Sequence, residues 1–133
     1  MAIRVMPHSD EAEISVLGCI LLNNNIQHDI FSRLNEKDFY ADVHSTIYAE
    51  MYELYKSQKA VDFVSLVDVL ERKELIDAVG GISYITKLAN SMPSVVNYKQ
   101  YVELIERDSI LRQIINACQS VAEKSYSSTN ADE

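Results

Sequence analysis

Apolar residues recur along this chain at spacings of three and four, and no stretch alternates apolar and polar long enough to make a strand. The spacing predicts helices. In "PHSDEAEISVLGCILL", Pro7 to Leu22, a polar, acidic start gives way to Val16, Leu17, Ile20 and Leu21 on one helical face. Ser9 or Asp10 can cap this first helix, and Asp10 with Glu13 gives the cap-plus-three acid signature. Asp10, Glu11 and Glu13 also suit the positive end of the helix dipole. The acids are expected to start the helix, its second half to be core, and "NNN" at 23–25 to end it.

A short second helix is marked by Ile26, Ile30, Phe31 and Leu34, and the connector "NEKDFYAD" follows. A third helix runs from Asp42 to about Ser57, with Ile47, Met51, Leu54 and Tyr55 on one stripe and Tyr48 and Tyr52 on a second. Asp62 caps a fourth, where Leu66, Val67 and Leu70 repeat. "VGG" at 79–81 leads into a fifth, with Ile82, Ile85, Leu88 and Ala89; Gly80 and Gly81 are either a hinge or a simple turn that starts that helix. "SMPS" at 91–94 ends it, because the residue before a proline avoids the helical region.

Asn97, with Gln100 three residues on, caps a last segment that runs without Gly or Pro to about Tyr126. About 29 residues at about 1.5 Å each make a rod of about 44 Å, too long for a small head to cover. Its apolar face also changes midway. Tyr98, Tyr101, Val102 and Ile105 mark the first half; after the polar "ERDS" at 106–109 come Leu111, Ile114, Ile115, Cys118, Val121 and Ala122. The first half is expected to pack on the head and the second to meet something the head does not supply. The expected fold is all-α: a compact head of about five helices followed by a long C-terminal helix. The expected divisions are a flexible N-terminus at 1–8, the head at 9–95, the long helix at 96–126 and a disordered tail at 127–133.

The chain's 133 residues suit one domain. Twenty acidic residues against twelve basic ones leave a net charge of −8. Nucleic-acid binding needs clustered Lys and Arg, so weak or no direct binding is expected. No apolar run reaches the roughly 18 residues of a membrane span, and the first residues lack the apolar core of a secretory signal. Cys19 and Cys118 lie on helical patterns and read as two buried free thiols of a reducing, cytoplasmic protein, with a disulfide the open alternative.

Candidate chemistry is sparse. A phosphate-binding loop needs glycines and a lysine, but the glycines are Gly18, Gly80 and Gly81 and no Gly-Lys pair occurs. His8, His28 and His44 are isolated, with no metal-ligand spacing. A general base at His44, near Asp38 and Asp42, is weaker than a capping or surface histidine. A Cys19–His nucleophile pair is weaker than a buried thiol. Glu11 and Glu13, two apart on a helix, point away from each other. No catalytic, cofactor-binding or metal residue is expected. Tyrosines cluster instead: Tyr48, Tyr52 and Tyr55 on the third helix, Tyr98 and Tyr101 on the last. They read as half-buried core residues or as an interface, where tyrosine is enriched.

The opening "PHSDEAEISVLGCILL" resembles the start of bacterial replicative DNA helicases of the DnaB type. The likeness continues through "DFY" at 38–40, His44 with Ile47-Tyr48, "LY" at 54–55, Asp62, Val64 and Leu66. It extends over "GG" at 80–81, Tyr84 and Leu88, then "PS" at 93–94, Asn97, Tyr101, Ile105 and "LR" at 111–112. Order and spacing over roughly residues 7–125 make it specific to the family's amino-terminal domain. The resemblance implies a helical head and a helical hairpin, of which the last segment is the first helix. It implies a hexamer collar built as a trimer of dimers, which receives the primase's carboxy-terminal domain and, in some lineages, a helicase loader. ATP and magnesium belong to a motor domain that this chain does not contain. The candidate interface is therefore Tyr98, Tyr101, Ile105, Leu111, Ile114, Ile115, Cys118, Val121 and Ala122. Two further classes stand against this. One is a helical DNA-binding regulator using the third and fourth helices, with Arg72 and Lys73 on phosphates. The other is a small hydrolase using Cys19 or His44.

Overall fold

The computed structural model describes residues 5–92 and 95–131. Among them are six α-helices and two 3-10 turns, with no strand. The helices are α1 (Asp10–Leu22), α2 (Gln27–Arg33), α3 (Asp42–Lys56), α4 (Phe63–Arg72), α5 (Gly81–Ala89) and α6 (Tyr98–Ala131). The all-helical expectation holds, with a long last helix.

Helix α1 is the axis of the fold. It was expected to bury one stripe. Instead Ala12, Glu13, Ser15, Val16, Leu17, Gly18, Cys19 and Ile20 are all buried, because α3, α5 and α6 pack around it. Leu17, Ile20, Ile30, Ile47, Met51, Leu66, Leu70, Ile85 and Leu88 are closed to solvent with Tyr48. The second tyrosine stripe on α3 is thus split. Tyr48 is core, its hydroxyl donating to the Leu34 carbonyl at 2.8 Å; Tyr52 stays at the rim.

Local signals set most of the boundaries. Asp62 Oδ1 accepts the Ser65 N–H at 2.8 Å and caps α4. Asn23, in extended conformation, ends α1 and accepts the Asn25 N–H at 2.8 Å, turning the chain into α2. The start of α1 differs from expectation: Ser9 occupies the cap position but makes no cap bond. Its hydroxyl donates to Asp108 Oδ2 at 2.6 Å instead. Gly80 and Gly81 have φ of +101° and +77°, the left-handed region that favours glycine, and they turn the chain into α5. Pro93 lies outside the described residues.

Two expected boundaries change. Helix α6 continues to Ala131, so the tail expected from 127 is helical that far; no Gly or Pro intervenes to stop it. The segment before α1 is docked from residue 6 on: His8 stacks on Tyr40 with ring centroids 4.3 Å apart, and the Pro7 carbonyl accepts from Arg112. Residues 1–4 lie outside the described region.

Gly18 is where α1 and α5 touch. A Cβ there would meet Ser91 Oγ and come within 2.6 Å of the Leu88 carbonyl oxygen. Gly18→Ala is expected to destabilise the fold by about 1–3 kcal/mol in urea unfolding, because backbone and not a flexible side chain must move. An unchanged midpoint would show that the two helices separate freely.

Candidate functional site

Helix α6 carries two faces in succession. The first buries Val102, Ile105, Asp108, Ser109 and Arg112, a spacing of three and four that continues straight through "ERDS". The polar break expected at 106–109 is therefore a polar continuation of the buried face. Asp38 Oδ1 accepts from the Ser109 hydroxyl at 2.7 Å. Arg112 donates to the carbonyls of Pro7 and Asp38, each at 2.7 Å. Nearer the helix start, the Tyr98 hydroxyl donates to Asp29 at 2.7 Å and Arg33 pairs with Glu106 at 2.6 Å. These partners make α6 antiparallel to α1: it starts beside α2 and reaches Ser9 and Pro7 at Asp108 and Arg112.

Past Arg112 nothing from 113 to 128 is buried. The candidate interface residues consequently fall into two sets. Tyr98 and Tyr101 are half-buried against the core and Ile105 is inside it. Leu111, Ile114 and Val121 are 40%, 53% and 65% exposed; Cys118 and Ala122 are exposed as well, and Ile115 is half-buried. Leu111, Ile114, Cys118 and Val121 stand three, four and three residues apart, the spacing of a coiled-coil seam. Cys118 was expected inside and lies on this open face, because the head has ended before it is reached. Both cysteines are free.

A second arrangement was not foreseen. Glu13 is 1% exposed. Its carboxylate accepts the Tyr40 and Ala41 N–H groups at 2.7 and 3.3 Å and faces His44 Nδ1 at 2.8 Å. His44 Nε2 meets the Tyr84 hydroxyl at 2.6 Å. His44, expected at the surface or as a cap, is 4% exposed. Its partner is Glu13, not Asp38 or Asp42; the Asp38 carboxylate takes Ser109 and the Asn35 N–H instead. Glu11, by contrast, is exposed.

Tyr84, His44 and Glu13 have the connectivity of a nucleophile, a base and an orienting acid. The electrostatics oppose that role. Burial pushes the Tyr84 hydroxyl above its ordinary pKa, and the charges of Asp10 and Glu13 push it further. An activated nucleophile needs the opposite shift. Burial likewise drives the Cys19 thiol up to about 11, where little thiolate forms at neutral pH. The chain is better explained as a polar tie joining α1, α3 and α5.

The cations read as phosphate contacts for a DNA-binding regulator are engaged. Arg72 pairs with Asp68 at 3.0 Å, and Lys73 bridges Glu50 and Glu53 at 2.8 and 2.9 Å. Among the described residues no group of three or more His, Cys, Asp or Glu could hold a metal, and no helix is long and apolar enough to cross a membrane.

The fold and its surface define an all-helical domain whose last helix outruns its own core. The family model of the DnaB-like helicase N-terminal domain matches residues 5–107, and the chain belongs to that family. It is 35% identical to the replicative DNA helicase DnaB of Haemophilus influenzae over 130 residues, 98% of this chain and 28% of that protein. It is 37% identical over 130 residues to the replicative DNA helicase DnaC of Bacillus subtilis, again 98% of this chain and 28% of that protein. The chain thus spans little more than a quarter of these relatives. The crystal structure of the N-terminal domain of DnaB helicase from Mycobacterium tuberculosis superposes with a TM-score of 0.89 at 29% identity, covering 94% of this chain and 89% of that one. A solved DnaB-like replicative helicase, described with its interactions with primase, gives 0.79 at 28% identity, over 87% of this chain and 27% of that one.

Glu13→Ala should cost about 3–5 kcal/mol in equilibrium unfolding, since it strands the buried His44 and leaves two part-buried N–H groups without their acceptor. Tyr84→Phe should cost far less; equal losses would mean that Glu13 is not the hub. A second expectation concerns alkali. Burial raises the Cys19 thiol and the Tyr48 hydroxyl, the hydrogen bond to Asp29 raises Tyr98, and Tyr84 is raised as above. Above the ordinary thiol value of 9.0 the unfolded chain releases protons that the native chain keeps, so stability is present below that pH and falls as pH rises. Melting temperatures measured upward from pH 8 should drop beyond 9; a flat or rising profile contradicts this.

Proposed function

We propose that this chain is the assembly and docking domain of a replicative DNA helicase and performs no chemistry itself. The observation that carries this is the open seam of α6. An apolar stripe with nothing from its own head over it is an interaction surface or an aggregation liability. A symmetric contact between copies buries such a stripe once from each chain. In this reading the seam supports a dimer, and six copies form the collar of the full-length helicase. The primase's carboxy-terminal domain docks on that collar, as does a loader where one is used. The relative solved with primase supports a primase partner. ATP and magnesium are handled by a motor domain outside this chain, in the bacterial cytoplasm. The net charge of −8 fits a collar that passes DNA without gripping it.

Light scattering at several protein concentrations tests this. The parent chain should rise to two chains or more with concentration. Leu111→Asp combined with Val121→Asp should stay at one chain with an unchanged melting temperature, since both residues are outside the core. A parent mass of one chain at every concentration would defeat the proposal, as would ATP turnover by a clean preparation.

A further inference from the structure

We infer that the segment Pro7–Ser9 is a strap that latches the long helix to the head through Arg112, and that this latch sets the direction in which the second half of α6 leaves.

Arg112, at 9% exposure, is the last buried residue of α6 as far as residue 128. One guanidinium nitrogen donates to the Pro7 carbonyl and the other to the Asp38 carbonyl, each at 2.7 Å. Its Cζ lies 5.5 Å from the centre of the Tyr40 ring, which in turn stacks on His8. One turn earlier Ser9 donates to Asp108 at 2.6 Å. Two segments far apart in sequence are thus pinned to the final buried turn of the helix by one cation held on neutral carbonyls. Apolar burial cannot do this work, because Ile105 is the last buried apolar residue on that face. From 106 to 112 the attachment is polar and directional, and directional contacts fix an angle where apolar ones tolerate sliding.

The strap is also the part of the fold that can be withdrawn at least cost. It contributes no residue to the core cluster, which begins at Ala12. Its grip on α6 is two hydrogen bonds, Arg112 to the Pro7 carbonyl and Ser9 to Asp108, beside the His8–Tyr40 ring stack and the Ser9 carbonyl's bond from the Glu13 N–H at the start of α1. Taking it away leaves α1 surrounded but removes half the acceptors from a buried guanidinium, so the turn around Arg112 should open while the head stays folded. Anything that captures the N-terminal segment would release the helix. If α6 joins copies as proposed above, its exit angle also sets how the heads sit in the assembly; that consequence rests on the assembly reading, whereas the latch does not.

The test reads the angle within one chain. Cys118 is exposed and Cys19 is buried with a raised pKa, so a spin label can be placed on Cys118 and a second on Asp68→Cys in α4. Labelled chain is diluted in unlabelled chain, so that only distances within a chain are measured. The parent should give one narrow distance distribution. Arg112→Met, and separately a chain starting at Ser9, should each broaden it, with amide exchange over 106–116 faster by about tenfold or more and the head's melting little changed. An unbroadened distribution in either folded variant overturns the inference. If one variant does not fold, the other decides. If neither folds, the segment belongs to the core and is no strap.

Discussion

A carboxylate buried at the centre of the molecule is the constraint on which the other elements depend. Because α1 is surrounded, Glu13 is out of reach of water, and an unsatisfied buried charge there would cost several kcal/mol. Its partners are the N–H groups of Tyr40 and Ala41 and the His44 ring. The first two fix how the chain enters α3; the third sits on the first turn of α3. His44 then reaches Tyr84 on α5. One side chain therefore aligns three helices that apolar packing alone would leave free to slide.

The same logic continues along α6. Apolar contact attaches it as far as Ile105, and polar contact takes over through Asp108, Ser109 and Arg112. These bonds reach the two stretches flanking the Glu13 site, Pro7–Ser9 on one side and Asp38 on the other. The central polar tie and the attachment of the long helix are thus built on adjoining backbone. A loss at Glu13 would be felt at the base of α6, since Tyr40 both donates to Glu13 and lies beside Arg112.

Periodicity in the sequence located all six helices, and the caps at Asn23 and Asp62 act as their residue types suggest. What was missed are the polar members of buried faces. Glu13 stands three, four and seven residues before Val16, Leu17 and Ile20, so the apolar period already placed it inside. Ser109 and Arg112 continue the period of Val102 and Ile105 in the same way. The acids of α1 were read as a helix start and "ERDS" as a break in the stripe, when position on the face outweighed polarity. The partners, by contrast, were not legible: nothing in sequence brings Glu13 to His44, 31 residues on, or Arg112 to Pro7, 105 residues back. Cys118 erred the opposite way. Its spacing is that of a core residue, but the core it faces is not in this head.

That last point separates the two halves of α6 physically. A helix of 34 residues is about 51 Å long. From 113 to 128 no residue of it is buried, and the only charged residues between 113 and 131 are Glu123 and Lys124. Its docked first half removes the nucleation cost, so the helix propagates into solvent without a local partner. The outer half nevertheless keeps a regular apolar seam, and exposing a seam is costly in water. Under the assembly reading proposed above, the seam is retained for contact with another surface. The head holds the helix in place, and the open half of the helix is what the domain presents.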